Sequence, residues 1–586
     1  MKNINFFKGS VLLLATLFVV SSCADLSVEN TNDPNRESAL ANDADLVSLL
    51  QGSTGDVFFE ITNLWGSNMN AYSDQMTTTN MVFSWWVFTD EPRREMPNFP
   101  GFADLAVNSG IWSSFNAGVQ TANTIIELIE VDGETIVVDE ADITDKMLAS
   151  AYFLRGVSKG YLGLIYDQGY DIYPDTDLSN LELVPYTTLI ENGIADIVNA
   201  VSISDATPGF TWDLIPTQDS WSQAEFNTIA HSLAARILAN SPRTASEADA
   251  LDWSANPGGV LYFANRAVGG PDAAATMEDF TATAVGSYVF YNNLLDWHTY
   301  LLSGPAGYLP PDIKIIWTLD SNYYTEHPGD PANVTANEVQ TNDPRIDYYG
   351  FTNDGGFISA ARNADLFTNY FFLREWAENN WGGTGDPIPY YIAAETDYLR
   401  AEAHLRAGDK VTAGLILDDS PYGNGVTDIT PDLPAVTLGY IPADGFSGGN
   451  DLLTAVNSDA EFQYALLREY SVEISNLGGI GIQWYFMRRW DMLQAGTPLH
   501  YPIPANELEI TGITPYTFGG AANAGQDGAA SGANSWKDLG AQLKANAAKF
   551  NASDIIVPGT REDVNFNVRV NNTSKVAGDG RTRGIE

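Results

Sequence analysis

Cysteine is almost absent: the 586-residue chain has one, Cys23. A single thiol closes no intrachain disulfide, so the fold is held by burial, and a multi-cysteine zinc cluster is excluded. Basic residues are scarce as well. Lys and Arg number 29 against 75 Asp and Glu, a formal net charge of −46. A surface of that sign repels a phosphate backbone and excludes nucleic acid as a partner. It also repels anionic head groups, so attachment to a membrane cannot rest on a basic patch. Such acidity keeps a protein soluble where salt screens its self-repulsion, which points to a marine or halophilic host. With so many acids, carboxylate pairs arise by chance and carry almost no catalytic information. The five histidines, His231, His298, His327, His404 and His500, show no metal-ligand spacing. G-x-S-x-G, P-loop and dinucleotide fingerprints are missing. Asp171, Asp175 and Asp177 could offer oxygens to calcium, but the stretch lacks the glycine and distal glutamate of a true calcium loop. No metal and no cofactor are expected.

What is present begins with an export signal. Lys2 and Lys8 precede an apolar run at residues 11–20 (VLLLATLFVV). A run of about ten residues is half of what spans a bilayer, and its flanks are those of a signal peptide. Ser21, Ser22 and Cys23 follow, and VVSSC resembles a bacterial lipobox, in which the cysteine sulfur takes a diacylglycerol and becomes the new N-terminus. Val20 stands where Leu is usual, and Ser22 where Gly or Ala is usual. The alternative is a plain signal peptide with a free thiol nearby. The organisation expected is a signal peptide at 1–22, a polar tether at 23–42, an N-terminal helical repeat region at 43–245, and a C-terminal region at 246–586 that combines irregular loops with further helices.

Helical periodicity dominates the chain. Phe115, Val119, Ala122, Ile126 and Ile129 are spaced 4, 3, 4, 3, with Ser113 or Ser114 as candidate N-cap. Met147 to Ile165, Ile190 to Val201, Phe226 to Ile237 and Ala394 to Leu405 repeat the stripe, with stops at Asn240-Ser241-Pro242 and at Gly408. Gly156, Gly160 and Gly163 lie in one such helix. Glycine costs about 1 kcal/mol in a helix, so three together predict a neighbouring backbone packed close. Paired helices with small residues at their contacts predict a stack of tetratricopeptide-like hairpins. Residues 242–389 and 408–453 are richer in Gly, Pro, Asn, Asp and aromatics and read as irregular binding structure on a helical frame. Residues 518–535 (FGGAANAGQDGAASGANS) read as a mobile loop.

Several segments then match one family in order. They are Ile111-Trp112 with Ala122-Asn123; Ala151-Tyr152-Phe153-Leu154-Arg155-Gly156; IAHSLAARIL at 229–238; Asn342-Asp343-Pro344-Arg345; Tyr398-Leu399-Arg400-Ala401-Glu402-Ala403; Leu467-Arg468-Glu469; and Arg488-Arg489-Trp490-Asp491 followed by Pro502-Ile503-Pro504-Ala505-Asn506-Glu507. Behind a lipobox, this order resembles the SusD/RagB-like outer-membrane lipoproteins. The chain departs from them at its end. TGITPYTFGG at 511–520 replaces the family's closing segment, and the chain then runs on to Glu586. The resemblance implies an all-α fold of four tetratricopeptide-like helix pairs cradling a large irregular ligand-binding half. It implies a lipid anchor on Cys23 in the outer membrane, facing outward. It also implies capture of a nutrient, most often an oligosaccharide, for delivery to a SusC-like TonB-dependent transporter, with no covalent chemistry.

Glycan recognition needs flat aromatic faces, because sugar C–H bonds pack on a π-surface while hydroxyls bond at its rim. The candidates are Tyr323, Tyr324, Trp317, Trp85, Trp86 and Trp297, with Tyr300, Trp376 and Trp381 in similar contexts. Most of the 14 Trp, 27 Tyr and 27 Phe must serve the core, so the favoured pair is Tyr323 and Tyr324, in a polar, proline-bounded loop that offers little core. If residues 81–90 are extended, Trp85 and Trp86 point to opposite sides and only one faces a ligand. Trp112 is assigned to packing. Three other readings stay open: a peptide-binding RagB-type protein, a surface glycoside hydrolase with two carboxylates across a cleft, and an adaptor with no pocket.

Overall fold

The computed structural model describes residues 42–62, 66–78, 84–214, 220–277, 279–282, 309–320, 323–327, 338–339, 341, 344–351, 366, 368–372, 388–419, 457–475, 479 and 481–547. Cys23, the signal segment and the tether therefore lie outside the described residues. The chain divides into two units, 1–48 and 49–586, and the packing below is that of the second.

The fold is all-α, with only short two-stranded ladders between helices. In chain order the helices are α1 (Asp43–Thr62), α2 (Ser67–Tyr72), α3 (Trp86–Thr89), α4 (Ala106–Ile126), α5 (Thr144–Ile165), α6 (Tyr186–Ala206), α7 (Gln223–Ala239), α8 (Ala245–Ala250), α9 (Val260–Ala264), α10 (Ile313–Leu319), α11 (Ala393–Arg406), α12 (Lys410–Asp419), α13 (Asp459–Val472), α14 (Ile482–Arg488), α15 (Ala505–Ile510) and α16 (Trp536–Ala547). Among the described residues, five antiparallel ladders, each of two strands, join parts of this frame. One of them matters below: β1 (Tyr349–Phe351) with β2 (Tyr370–Phe372).

The pairs α4–α5, α6–α7, α11–α12 and α13–α14 are each in contact, giving the four expected helix pairs among the described residues. α5 also packs along α6, and α7 reaches α11, so the pairs share one core. Both α7 and α13 start with a full capping box, Ser222 with Glu225 and Ser458 with Glu461. α7 ends at Asn240, and Gly408 follows α11 with φ +80°, a conformation that favours glycine.

The start of α4 differs from the sequence reading. Ser113 and Ser114 are interior residues, because the helix begins at Ala106. The stripe extends back through Ile111 to Val107, and Asn108 holds this turn by donating to Pro502 O at 3.2 Å. Trp112 packs against Tyr166, with ring centroids 4.9 Å apart.

α5 is buried continuously from Ala149 to Ile165, as suits a helix enclosed on every side. Its glycines explain how. A β-carbon at Gly156 would sit 2.6 Å from Gly193 O, and one at Gly163 would sit 2.9 Å from Tyr186 O. A β-carbon at Gly193 would in turn meet Gly156 O at 2.8 Å. α5 and α6 thus touch backbone to backbone, as the glycine spacing predicts.

The segments that carry the family resemblance are the girders of this frame. Arg155 on α5 donates to both oxygens of Asp196 on α6, each at 2.7 Å, and to Asn123 on α4 at 2.9 Å. Arg236 on α7 grips Glu395 on α11 at 2.9 and 2.5 Å. Arg489 does the same to Glu402 on α11, at 2.7 Å for the closest bond. Arg345 donates to Glu469 on α13 at 2.6 and 2.8 Å, and Tyr398 donates to the same carboxylate at 3.0 Å. Burial alone would raise the pKa of Glu469, but Arg345 leads the neighbours that bring it down to about 2. Each pair joins two elements far apart in sequence.

Two further guanidinium groups use carbonyls instead. Arg488 donates to Asn240 O, Pro242 O, Leu164 O and Leu499 O, and Arg243 donates to Gly163 O, Leu164 O and Tyr166 O. Both sit at the C-terminal ends of helices, where carbonyls lack helical partners and cations are favoured. Burial still lowers the pKa of Arg243 to about 10. Asp167, beside this pair, is pushed up to about 6 by burial, against the bond that Tyr516 donates to it. A carboxylate whose folded pKa exceeds its unfolded one favours the folded state most at low pH, and that contribution is lost as pH rises through about 6. Asp167→Asn is therefore expected to add about 1–2 kcal/mol at pH near 8, allowing for partial exposure, and nothing near pH 4. Urea unfolding of both proteins at the two pH values checks this; an equal effect at both would contradict it.

Residues 518–535 correct an expectation. The segment is stitched to the core: Met96 N donates to Phe518 O at 2.9 Å, Gly520 N to Gly496 O at 2.8 Å, Gly496 N to Ala530 O at 2.8 Å and Leu499 N to Gly528 O at 3.0 Å. Its glycines at 519, 520, 525, 528 and 532 all have positive φ. The composition that reads as mobility supplies turns that only glycine makes without strain.

Candidate ligand-binding site

The site is built outward from α10. Asp312 caps it, accepting from Lys314 N at 2.9 Å. Trp317 lies on this helix, not in a loop, and is fully buried: its ring meets Tyr464 at 5.5 Å and Trp536 at 5.6 Å. Trp536 Nε1 donates to the buried Asp74 at 2.9 Å, and Asp74 is also ion-paired with Arg93. Trp317 is therefore a core residue and presents no face to a ligand.

The chain leaves α10 and turns, with Tyr323 N donating to Asp320 O at 2.9 Å. Tyr323 is 8% exposed and Tyr324 is 42% exposed. Their rings stand 4.9 Å apart at 61°, edge toward face. Behind them Tyr323 meets Tyr370 of β2 at 5.9 Å, and Tyr370 meets Phe351 of β1 at 5.1 Å. The Tyr370 hydroxyl accepts from Val339 N at 2.7 Å. The result is a row of rings running from the β1–β2 ladder to an outward-facing tyrosine.

Two polar links hold the same turn. Glu326 is paired with Lys537 of α16 at 3.0 Å, and Lys537 also reaches Glu91 at 2.9 Å. Burial opposes charge on Lys537, but Glu91, Asp74 and Glu326 outweigh it and raise its pKa. His327 Nε2 lies 3.3 Å from Asp312 Oδ2. Ring packing on one side and ion pairs on the other fix the backbone that carries Tyr324, the preorganisation a binding face needs.

Trp85 and Trp86 are placed differently from the extended reading. Ser84 has φ +56° and the chain enters α3, so the two side chains diverge by about 100° and not 180°. Trp85 is fully buried. Trp86 is partly exposed, but the Arg94 guanidinium lies 5.1 Å over its ring and is itself paired with Asp90. Trp297 lies outside the described residues, as do Tyr300, Trp376 and Trp381. The structure thus brings Tyr323 and Tyr324 together and keeps Trp317 and Trp85 in the core. Asp171 is engaged by Lys159 at 2.6 Å and Asn192 at 2.7 Å, and Asp177 accepts from Ser179 N at 3.0 Å.

One aromatic face was missed. Phe99 is 51% exposed, with its ring 5.8 Å from that of Phe102. Asn98 beside it donates to Ile503 O and Tyr516 O, each at 2.9 Å, and accepts from Ala505 N at 2.9 Å. The signal was available: Pro97-Asn98-Phe99-Pro100-Gly101-Phe102 is the kind of polar, proline-bounded context that singles out Tyr323 and Tyr324.

Chemically, the tyrosine turn offers an exposed π-face, a hydroxyl, and carboxylates held by a shared lysine, which is equipment for binding. Among the described residues no cluster of three or more His, Cys, Asp or Glu is placed to hold a metal ion, and no helix is long and apolar enough to cross a membrane.

No family model matches the sequence, and no curated protein matches it. Solved structures do. A SusD homolog of Bacteroides fragilis is 13% identical, with 79% of this chain and 94% of that chain covered and a TM-score of 0.49. A SusD superfamily protein of Bacteroides vulgatus is 13% identical, with 80% and 97% covered and a TM-score of 0.48. A laminarin binding SusD-like protein is 14% identical, with 81% and 99% covered and a TM-score of 0.46. The solved structures that this chain is similar to thus include SusD-like proteins, the group that its sequence motifs resemble.

Proposed function

We propose that the chain is a nutrient-binding lipoprotein of the SusD/RagB type. It is held to the outer membrane by a lipid on Cys23 and faces outward. It captures an oligosaccharide on the tyrosine turn without reacting with it, and delivers it to a SusC-like TonB-dependent transporter. Residues 43–245 supply the first helix pairs of the frame, and residues 246–586 supply the last ones and carry the site. The observation that supports the reading best is Tyr324: a half-exposed ring on a turn braced by Tyr323 and Tyr370 and by the Glu326–Lys537 pair. A tyrosine ring held half outside beside the Glu326 carboxylate presents the π-face and polar rim that a sugar needs.

The test is calorimetric titration of the chain lacking residues 1–23 against neutral and acidic oligosaccharides and a peptide digest, with sugar release assayed in the same samples. Laminarin is a convenient first probe. Glycan binding without release supports the proposal. Binding of peptides alone would replace it with the RagB-type reading, and released sugar would replace it with a hydrolase. Tyr324→Ala is expected to weaken glycan binding about tenfold, the loss of about 1–1.5 kcal/mol of ring contact. Its melting temperature should fall only slightly, by the loss of the ring pair with Tyr323.

A further inference from the structure

We infer, resting on the reading of the tyrosine turn as a glycan site, that the ligand is an uncharged saccharide and that sulfated or uronic-acid glycans are rejected. Proteins recognise sulfate and carboxylate groups with arginine forks or lysine ammonium groups that have donors to spare. The stretch of chain around the tyrosine turn has very few. Residues 267–467 contain 28 Asp and Glu but only seven Lys and Arg.

Five of the seven are described, and each is already committed. Lys314 is buried and donates to Ser73 O at 2.6 Å. Arg345 is held by Glu469 and Glu473. Arg400 donates to Asp397 and Asn265, each at 3.1 Å. Arg406 is shared by Glu402 and Asp249, with its guanidinium 3.9 Å over the Trp490 ring. Lys410 pairs with Asp459 at 2.6 Å. The other two, Arg362 and Arg374, lie outside the described residues.

Among the described residues, Lys537 reaches the tyrosine turn from elsewhere in the chain. It is divided between Glu91 at 2.9 Å and Glu326 at 3.0 Å, so the local sum is one positive charge against two negative. Glu326 has a side chain 73% exposed and sits two residues from Tyr324. An anionic sugar approaching Tyr324 would meet that carboxylate, in the field of a chain carrying −46. A neutral sugar loses nothing there: carboxylates accept bonds from its hydroxyls while its C–H face packs on the ring. Charge in this site therefore works as a filter that admits hydroxyl donors and turns away anions.

Affinity electrophoresis of the chain lacking residues 1–23 tests this, using gels loaded with laminarin or a neutral mannan, or with alginate or a sulfated galactan, at low and high salt. The expected result is retardation by at least one neutral polysaccharide, little changed by salt, with affinity at least about tenfold above that for either anionic one. Retardation by alginate or the sulfated galactan equal to that by the best neutral polysaccharide would overturn the inference while leaving the glycan reading intact. No retardation by any polysaccharide, with binding seen only for peptides, would overturn both.

Discussion

Glu395→Ala is expected to destabilise the protein by about 3–5 kcal/mol, enough to leave a large share of the chain unfolded at moderate temperature. Glu395 and Arg236 both have side chains with no exposure at all. Arg236 Nε and Nη2 donate to the two carboxylate oxygens, its Nη1 donates to the Tyr161 hydroxyl at 3.1 Å, and its plane lies 4.8 Å from the Tyr391 ring. Removing the carboxylate leaves a guanidinium that cannot deprotonate at accessible pH and cannot reach water. The loss is therefore the desolvation of a stranded charge, larger than the net value of the pair itself. This separates the account from a generic core mutation. Replacing both partners with apolar residues of similar volume, Arg236→Met with Glu395→Leu, should recover most of the loss. Denaturant unfolding of the single and double variants provides the measurement. A single variant within 1 kcal/mol of the parent, or a double variant worse than the single one, would show that the pair is not what joins α7 to α11.

The second large effect concerns α5 and α6. Gly156→Ala adds one methyl group and gains about 1 kcal/mol of helix propensity. Against this, the new β-carbon would lie 2.6 Å from Gly193 O and 2.9 Å from Ile197 N, both backbone atoms of α6. No side-chain rotation relieves such an overlap, so the helices must separate along a contact that buries most of α5. Overpacking costs about 1–3 kcal/mol, an overlap with backbone falls at the upper end of that range, and the net expectation is a loss of about 2 kcal/mol. Gly110 provides the internal control. It also lies within a helix, α4, but a β-carbon there would meet nothing within 4 Å. Gly110→Ala should therefore stabilise by about 0.5–1 kcal/mol. Opposite signs for two chemically identical substitutions test the backbone contact itself, and thermal melts of both variants suffice. The same sign for both would contradict the packing.

Much of the frame was legible because helices state their buried face locally. The stripes beginning at Met147, Ile190, Phe226 and Ala394 all fall on helices, and the glycine spacing at 156, 160 and 163 gave away a close neighbour before the neighbour was known. The errors came where local composition and distant contacts disagree. Ser113 looks like a cap, but Val107 and Asn108 find partners and carry α4 back to Ala106. Trp317 stands in a stretch rich in polar and aromatic residues, yet α10 turns it inward onto Trp536, a residue more than two hundred positions away. Residues 518–535 have the composition of a linker and the bonds of a core segment.

The site was partly legible for the same reason. Tyr323 and Tyr324 could be picked out because a polar, proline-bounded loop offers a ring little to pack against. What no local pattern contains is the division of labour between them, with Tyr323 turned to Tyr370 and Tyr324 to solvent. The motif residues Arg155, Arg236, Arg345, Glu402 and Arg489 gave the resemblance but not their purpose. Their partners are spread along the chain, and only the fold shows that they are buried ties, between helix pairs for Arg155, Arg236 and Arg489 and from residues 344–348 to α13 for Arg345.

The central claim is that Tyr324 is the face on which a sugar lands. Its most direct test is a crystal structure of the protein soaked with the oligosaccharide that binds most tightly in solution. The account predicts a pyranose ring stacked on Tyr324 at van der Waals distance, with Glu326 still paired to Lys537 at its rim. A sugar seated on Phe99 instead, with Tyr324 bare, would contradict it.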